Sequence, residues 1–269
     1  MSGFSIEWLA LREIYDRRAR NPKVLAAAIS PLKLKSIVRL VDLACGAGST
    51  RRTLGPHLPR QQYWDLIDND PGLLNAACRE SVSKDVNLNT VHLDLNRDIK
   101  IALDRPSDLV TISALLDLVS ADWLDRFARR AASRAMPVYA ALTYDGGIEL
   151  SPSDPTDAAV IAAVNAHQHT DKGFGPALGP SGATAAISRF ETLGYWVIQG
   201  DSDWIIGTAD QGIQIELLNG WAAAAREMQA LPGREIDDWL ARRRTAIDRR
   251  ASSMRVSHVD FFATPSAMR

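Results

Sequence analysis

The sequence predicts an α/β fold of the doubly wound kind, built on a mostly parallel sheet. Two observations carry that prediction. Between residues 37 and 144, short apolar runs bounded by turn residues alternate with helical patterns. The first run, Ile37 to Leu43, leads straight into the small-residue loop Ala44-Cys45-Gly46-Ala47-Gly48-Ser49, where a ligand can approach the backbone.

The first forty residues read as helical. Trp8, Leu11 and Tyr15 fall on one face, followed by Arg17, Arg18 and Arg20. Asn21-Pro22 ends that helix, and Ser30-Pro31 ends a shorter second one. Strand one is 37–43, apolar except for Arg39 and Asp42, and 49–54 reads as a first helical turn beyond the loop. Strand two is 62–68, and Asp70-Pro71 supplies an N-cap and first-turn proline for a helix through Ser81. Strands three and four are 88–94 and 109–114. Ser120 or Asp122 caps the next helix, whose buried face is Trp123, Leu124, Phe127, Ala128 and Ala131. Strand five is 138–143. Residues 145–181 are too long for a plain loop; they hold a helix capped by Asp154-Pro155 and running to Gln168, then a Gly/Pro-rich stretch, 172–180. Ser181 caps a helix that stops at Gly194. Residues 195–206 read as a sixth strand bent near Gly200, 214–250 as helix interrupted at Leu231-Pro232-Gly233, and 255–263 as a seventh strand.

Composition sets limits on function. Hydrophobic content of 46% and charged content of 23% suit a globular protein. A net charge of −1 gives no general attraction to nucleic acid or anionic membrane. No apolar run approaches the roughly 20 residues that span a bilayer, and the first ten residues lack a secretory pattern. Cys45 and Cys78 are too few for a disulfide framework, and Cys78 lies in a helical pattern that suggests the core. A cytoplasmic protein without nucleic-acid or membrane partners is expected. Oligomeric state is open, a homodimer included.

The pattern Asp42-x-Ala44-x-Gly46-x-Gly48 resembles the first motif of class I S-adenosylmethionine (SAM) dependent methyltransferases, with Ala44 in place of the usual glycine. The resemblance covers 37–144 well and the rest in strand order only. It implies SAM as cofactor and a sheet whose sixth and seventh strands form an antiparallel hairpin: seven strands, mostly parallel, with an antiparallel C-terminal strand, N-terminal helices and helical insertions. It also implies a cofactor site of Asp42, Ala44, Cys45, Gly46 and Gly48. Asp68, beside Asn69, matches the family's second acid; a carboxylate offers two acceptors to the vicinal hydroxyls of a ribose. Asp94 matches the third acid, which accepts from the adenine amino group, with the Leu95 N–H available to a ring nitrogen. Ser113 occupies the position whose backbone passes under the methionine part. Plainer readings exist: Asp68 and Asp70 as turn formers with Asp70 the cap, and Asp94 as merely exposed ahead of Asn96-Arg97-Asp98. Asp42 within an apolar strand needs a hydrogen-bond partner, which loop N–H groups or a cofactor ammonium would supply.

On the same resemblance the chain is one methyltransferase unit, 1–269, with an N-terminal helical segment 1–36, a SAM-binding half 37–144, and substrate or lid insertions at 145–181 and 207–253. Methyl transfer by in-line displacement depends mainly on alignment, and a base is needed only where the acceptor loses a proton. Strand four lacks the Asn/Asp-Pro-Pro-aromatic run of many nucleic-acid amino methylases, so the expected acceptor is a small molecule. Candidate catalytic groups are Tyr144 and Asp145, at the end of strand five, and His167, which is either a base or a satisfied core histidine. His169, Asp171, Lys172 and Phe174 are candidate substrate residues: Lys172-Gly173-Phe174-Gly175 has the makings of a lid, in which Phe174 excludes water and Lys172 holds an acid. His169 and Asp171 alone do not make a metal site, so no metal is expected. Arg242, Arg243, Arg244, Arg249 and Arg250 read as a solvated helix face, and Trp204 as packing. Two other functions compete. A nicotinamide-dependent oxidoreductase expects a third small residue where this chain has Arg51. A SAM-binding scaffold without turnover would use the insertions for partner contacts.

Overall fold

The computed structural model describes residues 4–79 and 83–266. Two helices open the chain, α1 (Ile6–Ala19) and α2 (Pro22–Ile29). They part where expected: Asn21 caps α2, its side-chain oxygen accepting from the N–H groups of Lys23 and Val24, and Pro22 takes the first helical position. The alternation then follows: β1 (Ile37–Leu43), α3 (Ser49–Leu54), β2 (Gln61–Asp68), α4 (Pro71–Ala77), β3 (Val86–His92), α5 (Leu95–Leu103), β4 (Leu109–Ser113), α6 (Ala121–Ser133) and β5 (Val138–Ser151). Beyond it come α7 (Asp157–Gln168), α8 (Gly182–Thr192), β6 (Tyr195–Asp201), β7 (Trp204–Ile206), α9 (Gln211–Glu227), α10 (Gly233–Asp248) and β8 (Ser253–Pro265).

The sheet runs β3-β2-β1-β4-β5-β8-β6, with β7 also on β8. Strands β1 to β5 are parallel to their neighbours, and β8 is antiparallel to β5, β6 and β7. This is the doubly wound, mostly parallel sheet with an antiparallel C-terminal strand, seven strands wide. One apolar layer lies under α5, α6 and α8, with Trp123, Phe127 and Phe190 at its centre. The opposite layer lies under α2 and α4, around Trp64, Leu40 and Tyr139. All five residues assigned to the buried face of α6 are buried, and Ser120 is its cap.

Several local expectations are corrected. The helix after Pro71 ends at Ala77; Ser81 lies outside the described residues. Cys78, just past that end, is exposed and not core. The third strand stops at His92, because Asp94 caps a helix and accepts from the Asn96 N–H. The sixth strand is two segments: Ser202 and Asp203 interrupt it, and Asp203 turns inward to accept from the His258 N–H and from Arg255. The fifth strand continues to Ser151. Asp145-Gly146-Gly147 reads as a turn, yet it is a bulge where the β5–β8 register shifts, with Gly146 at φ +97°. Tyr144 and Asp145 therefore lie within a strand, and the first insertion starts inside it.

That long β5–β8 ribbon has a consequence for the two insertions. Ile148, Met254 and Val256 on the ribbon share a third apolar cluster with Val160 and Val164 of α7, Leu218 and Trp221 of α9, and Trp239 of α10. The segments 145–181 and 207–253 form one helical cap, to which α1 adds Tyr15, Trp8 and Leu11. Arg243 is part of its foundation and not of a solvated face. Its side chain is 2% exposed and pairs with Asp157, which also accepts from Trp239 Nε1 at 2.8 Å. Removing one member of such a pair strands the other charge. Asp157→Ala is therefore expected to lower unfolding free energy in urea by about 3 kcal/mol or more; a loss under about 1 kcal/mol would show the pair to be dispensable.

Candidate active site

Ligands of open α/β sheets sit outside the carboxyl ends of the strands, where the strand order reverses. Here that point lies between β1 and β4, and the residues singled out from the sequence gather around it. Asp42 stands opposite Thr111 in the β1–β4 register, and its Oδ1 accepts from Thr111 Oγ1 at 2.7 Å. The partner of this buried acid is thus a neighbouring strand and not the loop. Its Oδ2 is buried without a partner. Burial pushes the carboxyl up to about 7; Thr111 and the positive charges of Arg20 and Arg51 oppose the shift.

The loop N–H groups go to β2 instead. Cys45 N–H donates to the Ile67 carbonyl, and Gly46 N–H donates to Asp68 Oδ2 at 2.9 Å. Asp68 Oδ1 accepts from the Asp70 N–H at 3.0 Å, so Asp68 both ends β2 and holds the loop. Burial raises its pKa, opposed by these N–H groups. The Asn69 N–H faces the same carboxylate, which still has acceptor capacity for a ligand. Asp70 is the cap of α4, as the sequence suggested. Asn69 is exposed, with its carbonyl against His92 Nε2. The loop twists through left-handed conformations at Ala44 (φ +51°), Gly46 (φ +53°) and Gly48 (φ +83°). Ala44, the departure from the family motif, thus holds a conformation that glycine adopts without steric cost. Cys45 is buried, and its thiol is pushed up by burial. Leu95 begins α5, so its N–H has no acceptor within the helix.

Helix α1 covers this loop. A Cβ on Gly46 would come within 3.3 Å of Leu9 Cδ1. Glu13 forms a two-pronged ion pair with Arg52, both contacts at 2.6 Å. Arg20, the residue after α1, reaches into the crevice: its Nη2 donates to Thr50 Oγ1 at 3.3 Å and to Ser113 Oγ at 3.0 Å. Arg20 was read only as one of the basic residues at the helix end. The stretch Asn21-Pro22 that stops α1 is the signal that turns it inward.

The residues chosen for the acceptor side are not all together. Tyr144 is buried, and its hydroxyl donates to Asn165 Oδ1 at 2.7 Å. Asp145 is exposed and accepts from Gly147 within the bulge. His167 is half-buried and is not a core residue. Its Nε2 meets Glu227 at 2.9 Å, and its Nδ1 accepts from Lys172 Nζ at 3.2 Å, so both ring nitrogens are engaged. His169 bonds the Ala177 carbonyl, and Asp171 Oδ1 accepts from the Gly173 and Gly175 N–H groups. Phe174 packs edge-on against Trp123, so 172–175 is a pinned turn in this structure. Among the described residues, no three His, Cys, Asp or Glu side chains converge to hold a metal.

Two residues of this region were missed. Asp117, four residues past β4, is buried with Oδ1 unpartnered, and burial pushes it up to about 7 against Arg12 and Lys172. His258 faces Tyr144 across the β5–β8 ribbon and lies 5.0 Å from the Trp204 ring. Its Nδ1 lies 3.0 Å from the Val256 carbonyl, which accepts only, so Nδ1 carries the proton and Nε2 keeps its lone pair. Burial and Arg12 push it down to about 3, and it is neutral. Trp204 does more than pack: its Nε1 donates to Asp16, which Arg12 also grips. A groove of about 510 Å³ lined by Arg39, Arg105, Ser107 and Arg134 lies at the opposite end of the strands, away from all these acids.

Asp42 and Asp117 each bind a proton more tightly when folded than at their ordinary value of 3.8. The stability they contribute is full below that value and is lost as pH rises through about 7. Asp42→Asn and Asp117→Asn are thus expected to gain thermal stability relative to wild type between about pH 5 and about pH 8. An offset that stays constant across that range would contradict the assignment.

The fold has solved counterparts. A cyclopropane-fatty-acyl-phospholipid synthase-like protein from Lactobacillus casei is similar over 97% of this chain and 94% of its own, at 14% identity and a TM-score of 0.56. The YcgJ protein from Bacillus subtilis is similar over 91% of this chain and 100% of its own, at 11% identity and a TM-score of 0.50. No protein-family model and no curated protein sequence matches the chain. The likeness shows the fold: a Rossmann-like, mostly parallel α/β sheet with an antiparallel C-terminal strand.

Proposed function

We infer that the protein is a SAM-dependent methyltransferase acting on a small molecule, the whole chain 1–269 working as one unit. One observation carries this reading. Asp42, Asp68, Asp94 and Ser113 head four adjacent strands, β1 to β4, around a left-handed glycine loop. Bound SAM would supply an electrophilic methyl group. The residues fit such a ligand: Asp68 has spare lone pairs for ribose hydroxyls, and Asp42 Oδ2 is an orphaned acceptor in the crevice. Asp94 and the Leu95 N–H lie on the adenine side, with Asn69 at the rim. Ala44, Cys45, Gly46 and Gly48 form the cradle, and Ser113 its far wall. A nicotinamide nucleotide fits less well, because Arg51 is itself buried where that fold needs a small residue.

On the acceptor side, Tyr144, Asp117, Lys172 and His258 are the groups proposed to orient the nucleophile. Asp117 is the proton acceptor in this reading: its Oδ1 is unpartnered and its carboxyl is pushed up to about 7, whereas His167 is committed to Glu227 and Lys172. Asp145, His169, Asp171 and Phe174 shape the turns around that side. No helix among the described residues is long and apolar enough to cross a membrane. A cytoplasmic location and action without nucleic acid belong to the same proposal.

Calorimetry with S-adenosylhomocysteine and NADH tests the cofactor. Wild type is expected to bind the former only. Asp68→Ala is expected to weaken it by about tenfold or more, the worth of a charge-assisted hydrogen bond. Unchanged affinity would overturn the ribose assignment. A labelled-methyl screen over hydroxyl, amine and carbon acceptors tests the reaction. Transfer to a small molecule, slowed by about 100-fold in Asp117→Asn, is the expected result; transfer confined to nucleic acid would contradict it.

A further inference from the structure

A second charged hollow lies at the other end of the sheet, where β1, β4 and β5 begin. It is a groove of about 510 Å³ lined by Arg39, Arg105, Ser107, Asp108 and Arg134, with Met136 as an apolar part of its wall. That volume suits a small organic molecule. Its β1 and β4 sides are tied together by backbone. The Arg39 N–H donates to Asp108 Oδ2 at 2.7 Å, and the Asp108 N–H donates to the Arg39 carbonyl at 2.7 Å.

The charges around this groove do not cancel. Asp65 is held by Arg105 at 2.7 Å, Asp104 by Arg130, and Asp108 by Lys35 at 2.9 Å. With these pairs made, Arg39 and Arg134 are left over. Arg39 makes no ion pair among the described residues; its guanidinium lies over the Tyr63 ring, 5.4 Å from the centroid. Arg134 reaches the Asp104 carbonyl at 3.4 Å, and its Nη1 stands 3.8 Å from the carboxylate that Arg130 already grips. The Ser107 hydroxyl beside them is buried without a partner. A ligand that completes this set must be an anion with several acceptor oxygens. A lone carboxylate would serve one guanidinium and leave the other. A long polyanion would lay its next charges on Asp65, Asp104 and Asp108.

We propose that this groove is a second ligand site, which takes a small phosphate monoester between Arg39 and Arg134. Such a group carries about two negative charges near neutral pH and three strong acceptor oxygens. That matches the two unpaired guanidinium charges, and a guanidinium fork fits phosphate oxygens in pairs. Stacking on Tyr63 holds the plane of Arg39, so less side-chain freedom is lost on binding. The organic part of the ligand has Met136 to lie against, and Asp108 can accept from its hydroxyl groups. The site is independent of the cofactor reading. It sits at the starts of β1 and β4, whereas Asp42 and Ser113 stand at their carboxyl ends.

Calorimetry with glycerol 3-phosphate tests the site. Wild type is expected to bind it at submillimolar concentration and with unchanged affinity when S-adenosylhomocysteine is present in excess. Arg39→Gln and Arg134→Gln are each expected to weaken it by about tenfold or more, the worth of a charge-assisted hydrogen bond. Both side chains lie at the surface, and wild-type circular dichroism and melting would show that each variant is folded. No binding by wild type at millimolar ligand, or wild-type affinity in both variants, would overturn the proposal. Displacement by S-adenosylhomocysteine would place the phosphate in the crevice instead and overturn it as well. Succinate bound as tightly as glycerol 3-phosphate would overturn the phosphate class. Tighter binding of a single-stranded oligonucleotide, weakening steeply with salt, would show a polyanion surface in place of a small-molecule site. A protein that bound glycerol 3-phosphate in the groove but no S-adenosylhomocysteine would sink the cofactor reading and leave this one standing.

Discussion

The hydrogen bond from the Gly46 N–H to Asp68 Oδ2 is the contact on which the head of the crevice depends. It ties the loop after β1 to the end of β2, and the same carboxylate holds the start of the turn into α4 through the Asp70 N–H. With the loop drawn toward β2, the space between β1 and β4 is left for Asp42, Thr111 and Ser113. An acid at the end of β2 thus holds both the loop and the turn that follows the strand. It accepts N–H groups across the sheet while remaining able to accept hydroxyls from above.

The sheet was largely legible in the sequence. Apolar runs bounded by turn residues located β1 and β4 to within a residue, and Asp70-Pro71 and Ser120 marked helix starts through their own capping chemistry. The misreadings share a cause: a short polar stretch has more than one local solution. Asp145-Gly146-Gly147 has turn composition, but the apolar alternation of Ile148, Leu150, Met254 and Val256 is satisfied only if β5 continues through a bulge. Asp94 looked like a strand end because it follows one; a cap occupies the same extended backbone.

The strand-end residues of the crevice were legible for a similar reason. They lie in short segments at strand ends, so sequence spacing translates directly into position. The cluster beside them was not. Asp117, His258, Arg12 and Tyr144 come from β4's exit loop, β8, α1 and β5, and only the long ribbon and the helical cap bring them together. Arg20 was obscured because an arginine at a helix end usually points to water, and its inward course depends on the turn at Asn21-Pro22. The setting of His167 is one that no spacing reveals: Glu227 and Lys172 arrive from the two different insertions and use both of its nitrogens.

These features converge on one claim, that the crevice at the β1–β4 switch point, under α1, holds an amino-acid nucleoside. A crystal structure of the protein grown with S-adenosylhomocysteine tests it most directly. The ribose is expected on Asp68 and the sulfur between the glycine loop and Ser113. Density for the ligand elsewhere, such as the groove lined by Arg39, Arg105 and Arg134, with Asp68 and the glycine loop untouched, would contradict it.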